Sequence, residues 1–314
     1  MRNPVYRMRL MQPFLEEFQQ SAARALIDRS REIELSLACF VAGGNLLIED
    51  TPGVGKTTLV KLMARLLGLD FKRVQFTNDL LPSDILGSRI FDPVSRVFTF
   101  HPGPIFAQLV LGDELNRASP RTQSAVLQAM DEHEVTIEGE THTLPMPFLF
   151  VGTQNPRDQA GTAALPESQL DRFLMRIELG LPHRETQQKL LDRDTGGNFP
   201  FESLAPLATP ALLLEWQRAA SLLRVAPGVS GYILDLVSAA GDHGWPLSPR
   251  AALGLQRASR ALALVRGRGH VLPDDVQEVF VPVLSHRLQQ FSTGGGREGT
   301  SMAANLLAGT PVAA

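Results

Sequence analysis

The chain has 314 residues, enough for about two domains, and its 44% hydrophobic and 20% charged residues are ordinary for a soluble globular protein. A net charge of −3 and a pI near 6.2 exclude a strongly basic nucleic-acid-binding protein, although not a local basic patch. The single cysteine excludes an internal disulfide, and no run approaches the roughly 18 apolar residues of a membrane span. We therefore expect a cytoplasmic protein without a signal peptide or a membrane segment.

The chain begins with a helical region that leads into a buried strand. Apolar residues recur at helical spacing over residues 11–40, and Cys39 lies in an apolar run that predicts a core position. Gly43 and Gly44 end this region, and residues 46–48 predict a short buried strand.

A glycine-rich turn follows the strand and opens directly into a helix. The turn reads TPGVG, and Lys56, Thr57 and Thr58 begin the helix. This order is typical of a phosphate-binding loop, in which backbone N–H groups at a helix N-terminus surround an anion. We expect Lys56 to reach the terminal phosphates of a nucleotide and the Thr57 hydroxyl to ligate Mg²⁺. The alternative is a chance GKT sequence after a strand.

Asp50 departs from the strict loop pattern G-x-x-x-x-G-K-[ST], which has glycine at that position. Glycine eases the turn off the strand, and aspartate tolerates turn geometry better than most residues. The predicted nucleotide-binding residues are therefore Asp50, Thr51, Pro52, Gly53, Val54, Gly55, Lys56, Thr57 and Thr58.

The next hundred residues alternate predicted strands with predicted helices. Four more strands are predicted at 72–76, 108–111, 148–153 and 173–179. Hairpins are predicted over 90–100 and 135–144, short helices near residue 83 and over 165–170, and a longer helix from residue 119. The alternation predicts an α/β fold with a doubly wound, largely parallel five-stranded sheet.

Polar residues stand at the ends of the third and fourth predicted strands. Asp113 and Glu114 follow the third strand, and Asn155 follows the fourth. Ligands of open α/β sheets bind at the carboxyl ends of the strands. We expect Asp113 to complete Mg²⁺ coordination, Glu114 to polarise the attacking water and Asn155 to lie beside that water. The alternatives are a strand that enters a surface loop and an asparagine that satisfies loop backbone.

The second half of the chain is predicted to be all-helical. Helices are predicted at 183–192, 209–223, 228–240, 249–266 and 273–290. We expect residues 1–182 to hold the N-terminal helices and the nucleotide-binding core, and residues 183–292 to form a helical lid domain. Residues 293–314 are glycine-rich, which predicts a flexible tail with a small helix near 302–307.

Together the motifs resemble the AAA+ ATPases, and within them the MoxR-type ATPases. Relative to the usual pattern, Asp50 replaces Gly, Gly112 replaces Ala and Leu115 replaces Ile. The resemblance implies a P-loop (AAA+) core with a C-terminal all-helical lid, and an ATPase that requires ATP and Mg²⁺. The matching stretches, dispersed over roughly residues 30–290, are LIEDTPGVGKTT, FTNDLLPSDILG, FHPGPIFAQLVLGDELNRASPRTQSAVLQAMDE, GTQNP, LPESQLDRF and SPRAALGLQRASRALALVRGR.

The resemblance also implies a role for each matching polar residue. Lys56 and Thr57 correspond to the Walker A lysine and hydroxyl, and Asp113 and Glu114 to the Walker B pair. Asn155 corresponds to the sensor asparagine. The segments 90–106 and 134–144 match the insertion of this branch and the hairpin before the first sensor.

Two arginines acquire roles only through the resemblance. Arg172 of LDRF corresponds to an arginine finger, and Arg250 of SPR to the second sensor in the lid. From the residues alone, Arg172 is an ion pair at the sheet edge with Asp171, and Arg250 a solvated residue in the first turn of a helix. A finger supplied by the neighbouring subunit requires a ring, so a homo-hexamer is expected.

For the biological role, the resemblance implies a chaperone-like remodelling ATPase that matures or activates a client protein complex. It also implies a partner with a von Willebrand A domain. The alternatives are the motor subunit of a metal chelatase, a nucleic-acid-linked AAA+ machine, and a scaffold that binds ATP without useful hydrolysis. The acidic pI argues against nucleic acid.

Overall fold

A computed structural model describes residues 4–155, 165–192, 201–292 and 296–312. The helices of the first half are α1 (Pro4–Ala23), α2 (Ser30–Val41), α3 (Lys56–Leu67), α4 (Pro82–Leu86), α5 (Pro120–Glu132) and α6 (Glu167–Leu170). The strands are β1 (Leu46–Glu49), β2 (Phe71–Gln75), β3 (Gly87–Asp92), β4 (Val97–Pro102), β5 (Leu109–Asp113), β6 (Glu134–Ile137), β7 (Glu140–Thr143), β8 (Leu149–Gln154) and β9 (Met175–Ile177). The remaining helices are α7 (Arg184–Asp192), α8 (Pro210–Ser221), α9 (Pro227–Asp242), α10 (Pro249–Val265), α11 (Pro273–Leu288) and α12 (Gly296–Gly309).

The centre of the molecule is a parallel sheet in the order β2–β5–β8–β1–β9. Side chains alternate between its faces, so that Leu109 and Leu111 of β5 belong to one apolar core and Val110 to the other. A strand that is buried on both faces has a nearly continuous apolar sequence, and β5 and β8 both show this pattern. The predicted doubly wound five-stranded sheet is confirmed, and its fifth strand is shorter than expected.

Two antiparallel hairpins extend from this core. β3 pairs with β4, and β6 pairs with β7, as the sequence predicts. In the second hairpin, Glu138 and Gly139 both have positive φ, which the two-residue turn requires. The first hairpin exposes the large apolar side chains of Ile90, Phe91, Val94, Val97 and Phe98.

The lid helices pack against α2, β9 and one another. Buried leucines of α10, such as Leu255 and Leu262, belong to the same apolar core as α2. Arg266 donates two hydrogen bonds of 2.8 Å to the Glu34 carboxylate on α2, and Arg257 donates to the Ala42 carbonyl at 2.9 Å. The lid is therefore fixed to the side of the sheet that carries α2.

In place of a flexible tail with a small helix near 302–307, residues 296–309 form helix α12, which includes the expected helix and is longer than it. Met302, Ala303 and Leu306 are buried and lie on one face of α12, which packs against the other lid helices. The backbone of Gly299 lies so close to α11 that an added Cβ would stand 2.3 Å from the Ser285 carbonyl oxygen. Glycine in this segment therefore permits a close helix contact, whereas its frequency alone suggested mobility.

The N-terminal helices complete the core on the α2 side. The predicted helical region consists of two helices, and Cys39 of α2 is fully buried as expected. Burial raises the pKa of the Cys39 thiol to about 12. Among the described residues, no helix is both long and apolar enough to cross a membrane.

Candidate active site

The loop between β1 and α3 has the geometry of an anion-binding turn. Gly53 and Gly55 adopt φ of +84° and +100°, a region that side-chain-bearing residues rarely enter. Gly55 directly precedes Lys56, the first residue of the 12-residue helix α3. The N-terminus of α3, with its free backbone N–H groups and positive dipole end, therefore faces the loop.

Asp50 has a structural role that the motif pattern does not reveal. Its Oδ2 accepts hydrogen bonds from the backbone N–H groups of Leu179 and Gly180 at 2.8 and 2.6 Å. Its Oδ1 accepts the N–H of Thr51 at 2.7 Å. The carboxylate therefore ties the start of the loop to the segment that follows β9.

Lys56 lies beneath the loop, where its ammonium Nζ donates to the Asp50 carbonyl at 2.5 Å. Partial burial lowers the pKa of Lys56, and the negative charges of Asp50, Asp113, Glu114 and Glu49 oppose that shift. An ammonium that is partly dehydrated and not committed to a carboxylate can exchange its carbonyl partner for phosphate oxygens at little cost.

Asp113 stands at the end of β5 with both carboxylate oxygens engaged. Thr153, a fully buried residue of β8, donates its hydroxyl to Oδ1 at 2.6 Å. Arg73 of β2 approaches Oδ2 with Nη2 at 2.5 Å and Nε at 3.1 Å. Adjacent parallel strands thus fix the orientation of this carboxylate from both sides.

Glu114 follows Asp113 and has left-handed backbone angles, φ 58° and ψ 47°. Such a conformation is strained for glutamate and is typical of functional positions. Its N–H donates to Thr153 Oγ1 at 3.0 Å. Its carboxylate accepts from Gln75 Nε2 at 2.9 Å and pairs with Arg117 at 3.1 Å.

These residues surround one open cleft of about 380 Å³ at the carboxyl edge of the sheet. The predicted loop residues Asp50, Thr51 and Val54 are not among its lining residues, and Val54 is buried in the core. Two residues that were not predicted, Arg73 and Gln75, also line it. Among the described residues, the lining consists of Pro52, Gly53, Gly55, Lys56, Thr57, Thr58, Arg73, Gln75, Asp113, Glu114 and Asn155.

Arg172 and Arg250 lie apart from this cleft. Arg172 donates to the Leu127 carbonyl at 2.6 Å and pairs with Asp131 at 3.2 Å. Arg250 approaches the same Asp131 oxygen at 3.7 Å, and its side chain is 62% exposed. Both arginines line a second cleft, of about 450 Å³, between the end of α5 and the lid. The expected ion pair of Arg172 exists, but with Asp131 rather than with Asp171.

A third arginine holds the segment that carries Arg172. Arg287 of α11, whose side chain is 6% exposed, donates Nε to the Asp171 carboxylate at 2.8 Å. Its Nη2 also donates to the carbonyls of Asp171 and Phe173, at 3.2 and 3.0 Å. The residues on both sides of Arg172 are therefore fastened to the lid.

The site residues that could not be predicted from the sequence are those whose hydrogen-bond or ion-pair partners lie on other strands or helices. Arg73 and Gln75 are two positions apart on β2, so their side chains lie on the same face of the strand near its carboxyl end. This spacing was the sequence signal that could have identified them as site residues. Asp131 and Arg287 gave no comparable signal.

The cleft offers the chemistry that a magnesium–nucleotide complex requires. Thr57 and Asp113 supply a hydroxyl and a carboxylate, the hard oxygen ligands that Mg²⁺ prefers. Within the described part of the chain, no group of three or more His, Cys, Asp or Glu residues could hold a metal. Mg²⁺ at phosphate sites uses only one or two protein ligands, so the donor set fits.

Comparison with known proteins gives the family. A family model described as "ATPase family associated with various cellular activities (AAA)" matches residues 45–175, and an AAA lid domain model matches residues 244–302. Chaperone MoxR1 of Mycobacterium tuberculosis is 39% identical over 277 residues, covering 84% of this chain and 73% of the relative. The uncharacterized protein YeaC of Bacillus subtilis is 39% identical over 281 residues, covering 88% of both chains.

A solved structure extends the likeness to three dimensions. A crystal structure from Cytophaga hutchinsonii, of a protein to which an ATPase function has been ascribed, superposes with a TM-score of 0.86. It is 31% identical and covers 98% of each chain. The five-stranded sheet, the helical lid and these relatives agree, and the chain belongs to the MoxR-type AAA+ ATPases.

Proposed function

We propose that the cleft beside Lys56 binds Mg²⁺-ATP and that the chain uses ATP hydrolysis to remodel a protein complex. The observation that carries this proposal is the convergence of Lys56, Thr57, Asp113, Glu114 and Asn155 on one cleft at the carboxyl edge of the sheet. Phosphoryl transfer needs positive charge around the γ-phosphate and an oriented water, and these residue types can supply both.

Each residue then has one task in hydrolysis. Lys56 leaves the Asp50 carbonyl and binds the terminal phosphates. Glu114 accepts a proton from the attacking water, and Asn155 orients that water through its amide. Thr57 and Asp113 hold Mg²⁺, which when bound neutralises charge on the phosphate oxygens.

The third positive centre comes from a neighbouring subunit. Arg172 and Arg250 share Asp131 in the second cleft, so one docked triphosphate could meet both guanidinium groups. An arginine placed on a γ-phosphate contributes roughly 10³–10⁵ in rate in comparable enzymes. Head-to-tail contact between the two clefts generates a closed ring, for which we propose six copies.

Replacement of Glu114 tests the proposed site directly. Glu114→Gln keeps the size and hydrogen-bonding capacity of the side chain but removes the base. We expect the variant to bind a fluorescent ATP analogue with near wild-type affinity and to lose at least about 100-fold in turnover. Lys72→Ala, at an exposed position of β2 that is not among the lining residues of the cleft, is the matched control. Turnover within about threefold of wild type would remove Glu114 from this role.

A mixing experiment tests the contribution of Arg172 across subunits. Glu114→Gln and Arg172→Ala are each expected to be inactive alone. In an equal mixture, about a quarter of the sites combine an intact Glu114 with a neighbouring Arg172, so activity should recover towards about a quarter of wild type. No recovery, in a mixture that sedimentation shows to be co-assembled, would contradict action in trans.

The proposed remodelling role is supported by the family resemblance alone and requires a separate experiment. We propose that a protein with a von Willebrand A domain recruits the client complex, and that the ring works in the cytoplasm, where a lone buried thiol stays reduced. Glu114→Gln with ATP should retain such a partner on a column, and ADP should release it. Nucleotide-dependent capture of a chelatase subunit, or of nucleic acid, would instead favour those alternatives.

A further inference from the structure

β2 directs a cation at the carboxylate expected to hold the metal. Arg73 lies on the strand next to β5, and its guanidinium makes two contacts with Asp113 Oδ2, at 2.5 and 3.1 Å. Thr153 donates to Oδ1, so each oxygen of this carboxylate has a protein donor, and Arg73 is the donor on Oδ2. The residue two positions along β2, Gln75, similarly contacts Glu114.

Two N–H groups of Arg73 donate to Oδ2 and so use both of its lone-pair positions, and a divalent cation that binds this oxygen must displace at least one of them. Arginine presents a rigid fork of donors and stays charged at every relevant pH, so it neutralises Asp113 without a metal. Charge-assisted pairs of this kind are the stronger class of hydrogen bond, and this one is partly shielded, since the Asp113 side chain is only 11% exposed.

We propose that Arg73 is a nucleotide-site residue that stands in for Mg²⁺ on Asp113 and is displaced when the metal arrives with ATP. This inference rests on the proposed Mg²⁺-ATP site. Arg73 therefore sets how strongly nucleotide binding depends on magnesium.

The displaced side chain has a place to go. Arg73 lines the same cleft as Lys56 and is 47% exposed, so its stem can turn without disturbing the core. In that cleft the guanidinium faces phosphate oxygens, for which its donor geometry is well suited. Without metal, Arg73 keeps Asp113 neutralised and lets the triphosphate approach; with metal, the contact to Asp113 is lost.

The test measures binding rather than turnover. The affinity for a fluorescent non-hydrolysable ATP analogue is measured with excess EDTA and again with saturating Mg²⁺. The Kd ratio is the Kd in EDTA divided by the Kd in Mg²⁺. We expect Arg73→Gln to raise this ratio about tenfold, because metal-free binding weakens while Mg²⁺ gains an uncontested Asp113. Arg73→Lys, which keeps the charge but not the fork, should fall between the two. Lys72→Ala should leave the ratio unchanged.

The outcomes separate the inference from the function on which it rests. If the wild-type protein binds the analogue and both Arg73 variants, folded by circular dichroism, keep its Kd ratio, Arg73 does not compete with the metal and the inference is wrong. Equal weakening with and without Mg²⁺ would show a phosphate contact only, and would also overturn it. If the wild-type protein binds no analogue, the proposed nucleotide site itself fails.

A double-mutant cycle gives a further check on the same pair. In an Asp113→Asn background the carboxylate is gone, so adding Arg73→Gln should change the Kd ratio by less than about twofold. A tenfold change that persists in this background would mean that Arg73 acts through another group, and would contradict the competition.

Discussion

Restoring the missing glycine of the phosphate loop should destabilise this protein rather than improve it. Asp50→Gly produces the strict loop pattern, and from the motif alone the change is neutral or favourable. In the structure, however, the Asp50 carboxylate accepts the N–H groups of Leu179 and Gly180, which belong to a different segment of the chain. The glycine variant leaves both donors without this partner.

The expected loss follows from the number and kind of these bonds. A hydrogen bond to a charged group contributes about 1.5–3 kcal/mol when buried, and Asp50 is half-buried, so two bonds contribute about 2–4 kcal/mol together. The added backbone freedom of glycine contributes roughly another 0.5–1 kcal/mol in the same direction. We expect the free energy of unfolding to fall by about 2.5–5 kcal/mol in total.

Equilibrium urea unfolding, followed by far-UV circular dichroism without nucleotide, measures this loss. Asp50→Asn is the matched control, because its amide oxygen can take the place of Oδ2 and accept the same two N–H groups but carries no charge. We expect it to lose about half as much as Asp50→Gly. A glycine variant within about 0.5 kcal/mol of wild type would refute the structural role of Asp50, since ordinary surface changes stay in that range.

Two further predictions concern the tail helix and the buried thiol. Gly299→Ala places a Cβ 2.3 Å from the Ser285 carbonyl oxygen, so α12 should detach, with a loss of about 1–3 kcal/mol and earlier C-terminal cleavage in limited proteolysis. The control is Gly309→Ala, where a Cβ meets no described atom within 4 Å; similar cleavage of both variants would contradict the close contact. Because burial raises the pKa of Cys39 from 9.0 to about 12, its contribution to stability is complete below pH 9 and is lost as the pH rises towards 12. The stability of wild type relative to Cys39→Ala should therefore fall by about 1.4 kcal/mol per pH unit across that window, and a flat difference would show that the folded thiol ionises normally.

Much of the fold could be predicted because local patterns and the sheet agree. The apolar runs of β5 and β8 are buried on both faces, and the strand–turn–helix order around Gly55 is specified by neighbours in sequence. The tail helix α12 is longer than the helix expected near 302–307, because glycine frequency and helical spacing indicated different structures for this segment. The buried stripe of Met302, Ala303 and Leu306 outweighs the glycines once α11 is available as a packing surface.

The parts of the candidate site that escaped prediction depend on strand order and on contacts distant in sequence. Arg73 meets Asp113 only because β2 lies next to β5, and alternation of strands and helices does not specify that neighbour. Asp131 meets Arg172 across 41 positions, and a single aspartate near a helix end carries no local sign of such a partner. Residues of one motif are predictable together, whereas pairs assembled by topology are not.

The anchoring of Arg172 has a mechanical consequence. Arg287 of α11 donates to the Asp171 carboxylate and to the carbonyls of Asp171 and Phe173, so the backbone on both sides of Arg172 is bonded directly to the lid. The Arg172 guanidinium itself contacts Leu127 and Asp131 of α5, so this arginine joins the lid to the end of that helix. A change in the position of α11 therefore acts on the backbone of Arg172 through direct hydrogen bonds, without an intervening loop.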